Sequence, residues 1–152
     1  MRRARERALQ ALFQIESTGE DWRESLELFW REHPSSQAAR KYATALVAGT
    51  VRNMERIDAV ITKVADKWAL ERMGGVERNV LRLAAQEILF MPEVPPKVAI
   101  NEAVEVAKKF STQDSARFVN GVLDTIREMF EQNEIEIQPA GQEQEREPDA
   151  QV

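Results

Sequence analysis

Two start signals and two apolar stripes, all between residues 92 and 130, constrain the fold of this chain more than any other stretch. Residues 92–124 of it read PEVPPKVAINEAVEVAKKFSTQDSARFVNGVLD. Pro95-Pro96 is excluded from a helix interior but suits a first turn, where the missing N–H costs nothing. After it Ile100, Ala103, Val104, Ala107 and Phe110 recur at helical spacing. Ser111 and Thr112 interrupt that stripe, and Ser111 followed three residues later by Asp114 reads as a capping box for a new helix. The next stripe is Val119, Val122, Leu123, Ile126 and Phe130.

The same period runs through the rest of the chain. The spacing predicts helices over about 3–17, 21–32, 36–53, 55–68 and 76–90. Their inward faces include Ala8 and Leu12, Leu26 and Phe29, Ala43 and Leu46, Ile57 and Ile61, and Val80 and Leu83. Thr18-Gly19, His33-Pro34-Ser35 and Gly74-Gly75 punctuate them. With no segment long enough for a paired sheet, the fold class is all-α, with about seven helices.

Charge divides the chain unevenly. Of 21 Lys+Arg and 26 Asp+Glu, residues 131–152 hold one and seven, leaving 20 and 19 for the preceding 130 residues. Residues 1–132 therefore form a near-neutral helical domain. Residues 133–152, NEIEIQPAGQEQEREPDAQV, are expected to be a disordered acidic tail. Within the domain Arg2, Arg3, Arg5 and Arg7 crowd the first turns of helix one. The guanidinium fork matches phosphate geometry, so this cluster points to nucleic acid despite the acidic pI. The bland alternative is a frayed, solvated terminus.

Other features mark a surface. Phe13 lies off the helix-one stripe, and spacing leaves it either packed on a neighbour or exposed. Asp114, Arg117, Phe118 and Gly121 form one patch beside the stripe of the last helix. Phe118 at its rim fits either the core or a stacking platform for a base. A mid-helix Gly costs about 1 kcal/mol relative to Ala, so Gly121 suggests an approach to the backbone. Arg78 and Arg82 sit one turn apart, open to solubility or binding. Glu87 falls among apolar positions and is expected to be a buried acceptor of hydrogen bonds from a basic side chain or a helix start.

What is missing narrows the function. Without Cys there is no thiol catalysis and no Cys-ligated zinc, and a reducing, cytoplasmic setting fits. No apolar run is long enough to span a membrane. No phosphate-cradling glycine loop, histidine metal set or nucleophile motif is present, and His33 beside a proline reads as a surface residue. Neither enzyme nor cofactor is indicated. These residues alone point to an RNA-binding module or a helical protein–protein adaptor.

VAINEAVEVAKKFSTQDSARFVNGVLD resembles the C-terminal signature of the NusB family of bacterial transcription antitermination factors. RRARERALQALF, KYATALVAGTVRN and VERNVLRLAAQEIL resemble the same family in the same order, over about residues 2–130. The resemblance implies two small packed helix bundles. It also implies joint binding of boxA RNA from ribosomal transcripts with the ribosomal protein NusE, in an antitermination complex with RNA polymerase. Carried onto this chain, the RNA-binding residues are Arg2, Arg3, Arg5, Arg7, Phe13, Glu77, Asp114, Arg117 and Phe118, and the partner-binding residues are Glu77, Arg78 and Arg82. Many relatives have Tyr where Phe13 stands, so a hydroxyl is lost and stacking is kept. The family includes homodimers as well as monomers. A NusB-like domain related to ribosomal-RNA cytosine methyltransferases is the rival within the resemblance.

Overall fold

The computed structural model describes residues 1–65 and 68–135. Seven α-helices occupy them: α1 (Arg2–Thr18), α2 (Trp22–Glu32), α3 (Gln37–Arg52), α4 (Met54–Ala65), α5 (Gly75–Phe90), α6 (Pro96–Phe110) and α7 (Gln113–Glu131), with a 3-10 turn at Leu70–Arg72 before α5. Two groups pack together. Helices α2 and α3 lie on α1, while α6 and α7 pack on each other and on α5, and α4 joins α5 and α7. Helix α1 also packs on α5 and α6, and α3 on α5, so one core runs through both groups. None of the described helices is long and apolar enough to cross a membrane.

Helix α5 is the shared centre. Every residue from Leu83 to Leu89 is buried, as is Leu81, the pattern of a helix covered all round. Leu46, Ile57, Ile61, Leu123 and Ile126 are fully buried around it, and truncating such side chains to Ala costs about 2–5 kcal/mol each. Where α3 crosses α5 the backbones approach closely: a Cβ at Gly49 would fall 2.2 Å from Gln86 Nε2. Gln86 is held there by the Asn53 amide at 3.1 Å.

Helix ends follow their local chemistry. Gly19 closes α1 in the left-handed conformation, φ 67°, which glycine adopts without penalty. Asp21 and Ser36 cap α2 and α3 by accepting the backbone N–H of Arg23 and Ala39. Helix α7 stops at Glu131, and Asn133 turns left-handed at φ 58°. The Asn133 and Glu134 amides bond back to Phe130 and Met129 carbonyls, and Ile135 rests on the core. This paired bonding is a Schellman stop with Asn in the glycine position. The acidic stretch 136–152 lies outside the described residues.

Three boundaries differ from expectation. Helix α4 is described over Met54–Ala65, and Trp68, where the expected helix closes, stands outside it, 57% exposed. Helix α5 begins at Gly75 with Gly74 as its cap residue, so the glycine pair starts a helix instead of linking two. The cap of α7 is Thr112 rather than Ser111: its hydroxyl accepts the Ser115 N–H at 3.0 Å, because the Ser111 side chain is committed elsewhere.

Candidate nucleic-acid interface

The first turn of α7 organises the surface. The Ser111 hydroxyl donates to Glu77 Oε1 at 2.9 Å, and the Ser115 hydroxyl donates to the same oxygen. Glu77 sits in the first turn of α5, so this one carboxylate locks the starts of α5 and α7 together. Partial burial opposes its charge, but the hydrogen bonds from Ser115 and Ser111 and the nearby Arg78 outweigh it, holding the carboxyl below its ordinary range. With this turn fixed, α7 forms a ridge with different chemistry on its two sides.

On one side is an open cleft of about 290 Å³ lined by Trp68, Arg72, Met73, Gly74, Glu77, Asp114, Ser115 and Phe118. Phe118 is half-buried against the core and meets Trp68 edge-on, ring centroids 6.3 Å apart. On the other side a groove of about 600 Å³ runs between α6 and α7, lined by Arg2, Asn101, Glu105, Lys108, Gln113, Arg117 and Asn120 among others. Its cations are all held by carboxylates: Arg2 by Glu102 at 2.7 Å, Lys108 by Glu105 at 3.4 Å and Arg117 by Asp114 at 3.1 Å. The hydrogen bond and charge of Glu102 raise the pKa of the Arg2 guanidinium. The Asp114 and Arg117 side chains are 88% and 77% exposed. Exposed pairs of this kind contribute little, so an incoming phosphate can take over the cation at small cost.

The expected arginine cluster is split by the fold. Arg2 and Arg3 are exposed, Arg3 reaching Glu6 at 3.6 Å. Arg7 points to the α2–α3 connection, where its Nε donates to Ser35 Oγ at 3.1 Å. Arg5 leaves the surface altogether. Its guanidinium donates to both oxygens of Glu87, the shortest contact 2.7 Å, and Glu87 is 2% exposed. The Tyr42 hydroxyl donates to the same carboxylate. Burial works against the Arg5 charge, and its hydrogen bonds and ionic attraction to Glu87 outweigh that, so the guanidinium stays firmly protonated. The acceptor role expected of Glu87 is met, and its donor is a residue expected at the phosphate surface. The reason is geometric: α1 is covered on two sides, with Leu9 and Glu6 buried as well as Ala8 and Leu12, so position 5 faces α5.

Phe13 is 40% exposed, and the tip of its ring abuts Gly75: a Cβ there would fall 2.5 Å from its Cζ. It is therefore packed on a neighbour and open to solvent at once, next to the Gly74 end of the cleft. Gly121 is exposed, and a Cβ on it would meet nothing within 4 Å. Arg78 and Arg82 share Glu16, and Arg82 also binds Asp58 through Nε at 2.8 Å. The Arg78 hydrogen bond depresses the pKa of Glu16. These four charges line a separate surface recess behind the cleft. Among the described residues no cluster could hold a metal ion.

Sequence reasoning missed Trp68, the two serines on Glu77, and Lys108, Asn101 and Asn120 in the groove. The available signal was the Ser-Thr run before α7, with two hydroxyls where a cap needs one. Trp68 gave none, because its spacing continues the α4 period.

A sequence model of the NusB family matches residues 2–128. The transcription antitermination protein NusB of Sorangium cellulosum is 46% identical over 124 residues, covering 82% of this chain and 89% of that protein. The fold is similar to a T. maritima NusB structure, with TM-score 0.76, 41% identity and coverage of 84% of this chain and 89% of that one. It is also similar to a chain in the crystal structure of antitermination factors NusB and NusE in complex with dsRNA, with TM-score 0.76, 33% identity and coverage of 84% and 95%. A family match across the helical body, with high identity and near-complete coverage of relatives, places this chain in the NusB family.

Proposed function

We propose that this protein is a transcription antitermination factor that binds boxA RNA of ribosomal transcripts together with NusE, as part of an antitermination complex with RNA polymerase. The observation that carries this reading is the α7 ridge. It sets a polar groove, whose three cations rest in exchangeable ion pairs and can meet a phosphate backbone, directly beside an aromatic cleft with carboxylates at its edge. Phosphate contacts position a strand, and stacking and edge contacts read its bases. Arg2, Arg3 and Arg117 serve the backbone, with Arg7 and Phe13 at the periphery. Asp114 and Phe118 face the bases, while Glu77 holds the ridge in place. The Glu16, Asp58, Arg78 and Arg82 surface is assigned to NusE, whose binding would exchange intramolecular ion pairs for intermolecular ones. The relative solved with NusE and RNA supports the pairing.

The test is a titration of a boxA RNA and a scrambled RNA of equal length, with and without NusE. Preferential binding of boxA, strengthened by NusE, is expected. Equal and weak binding of both RNAs under both conditions overturns the reading.

A further inference from the structure

We infer that the acidic residues 143–149 of this chain dock in its own groove between α6 and α7 and compete there with RNA for Arg2, Lys108 and Arg117. The competition rests on the RNA-binding reading above, whereas the docking does not. In Glu143-Gln144-Glu145-Arg146-Glu147-Pro148-Asp149 every odd-numbered residue is acidic. Side chains of an extended chain alternate between two sides. An extended course along the groove therefore puts these carboxylates in one row, about 6.6 Å apart, with Arg146 turned the other way. A one-sided row of evenly spaced anions has the electrostatic outline of a phosphate backbone.

The groove supplies the matching donors. Arg2, Lys108 and Arg117 line it together with the amides of Asn101, Gln113 and Asn120. Each cation is well exposed, in an ion pair that a second anion can share or displace at small cost. The chain end is within reach. Asn133, left-handed, folds the chain back after α7, and the Glu134 amide donates to the Met129 carbonyl at 2.8 Å. From Glu131 back to Arg117 is about 21 Å along the helix axis. Residues 136–143 can cover up to about 29 Å, and residues 136–149 about 50 Å. Nearer the exit Arg127 is already held by Asp124 at 2.8 Å and Glu131 at 3.0 Å, with Glu128 beside it, so that end of α7 repels the acidic row. Segment and groove belong to one chain, which keeps the competitor at about millimolar local concentration. The α2–α3 face, where Arg23 and Arg52 stack on Trp22, is the rival dock, but Glu20, Asp21 and Glu24 beside it offset its charge.

The test compares the full chain with its fourfold variant Glu143→Gln, Glu145→Gln, Glu147→Gln, Asp149→Asn. With RNA absent, the side-chain amide resonances of Asn101, Gln113 and Asn120 are expected to differ between the two at low salt. They should coincide at 1 M salt, where the screening length falls to about 3 Å. The difference should survive dilution, and a synthetic peptide of residues 136–152 added to the variant should restore the wild-type positions. The variant is expected to bind boxA RNA about 3-fold to 10-fold more tightly at low salt, the combined effect of a few exposed ion pairs. Coincident amide resonances at low salt overturn the docking; a gain in RNA affinity without them is long-range repulsion between the acidic row and RNA. Shifts confined to the Trp22 indole place the row on the rival face, and shifts lost on dilution place it on a second molecule; both overturn the docking. Groove shifts with RNA affinity unchanged overturn the competition. Groove shifts in a chain that binds no RNA, with or without NusE, leave the docking standing and overturn the functional reading.

Discussion

Arg5 and Glu87 form a buried ion pair that joins the first helix of the chain to its central one, with distances of 2.7 to 3.1 Å. Tyr42 on α3 completes it, and burial followed by the Glu87 hydrogen bond raises the tyrosine pKa well above its ordinary value. Removing one member strands the other in a dry interior. Arg5→Met is expected to destabilise the fold by about 3–5 kcal/mol, measured by urea unfolding. Adding Glu87→Met should recover much of that loss. A surface role for Arg5 predicts instead a small stability change and a large affinity change.

Arg2, Arg3 and Arg117 are free to meet phosphate in a way Arg5 is not. Replacing each with Ala should weaken binding to many RNA sequences alike. Each should also reduce the slope of log affinity against log salt by about 0.7–1 for every phosphate left without its cation. Filter binding over a series of salt concentrations checks this, and an unchanged slope removes that arginine from the interface.

Gly121 offers the opposite kind of variant. With open space where its side chain would be, Gly121→Ala is expected to stabilise α7 by up to about 1 kcal/mol. A rise of a few degrees in Tm is the readout. A fall would mean that the backbone at position 121 carries strain that alanine cannot relieve.

Acid should loosen the α5–α7 lock. The folded pKa of Glu77 lies below its ordinary value of 4.5. The stability it contributes is therefore complete above that value and lost as pH falls through the folded pKa. Glu16 and Glu102 shift in the same direction, chiefly through Arg78 and Arg2. Below about pH 4.5 the wild type should lose Tm more steeply than Glu77→Gln. Parallel acid limbs would show that the carboxylate charge at position 77 adds nothing to the lock.

Helical period alone reported the seven helices, because each carries a stripe whose spacing has no strand counterpart. It reported them less well where a helix is covered on several sides. Arg5 looked like a surface charge because the stripe through Ala8 and Leu12 marks only one of the two covered faces of α1. Trp68 looked helical because it falls in phase with the α4 stripe, and its backbone bond to the Ala65 carbonyl is invisible to spacing. Thr112 and Ser111 could each cap a helix. Only the arrival of Glu77 from another helix decides which does, and that pairing is a property of the tertiary fold.

The contact of the Phe13 ring with Gly75 has a consequence for how ligand binding can be observed. Gly75 lies against the tip of this aromatic ring, where ring currents displace the resonance of its α-protons from the usual glycine position. Phe13 is partly solvated, whereas the first turn of α5 is anchored through Glu77. Any guest that stacks on Phe13 or tilts it must change the shielding felt at position 75 without moving the helix. The backbone of one glycine thus acts as a fixed magnetic probe of the ring against it.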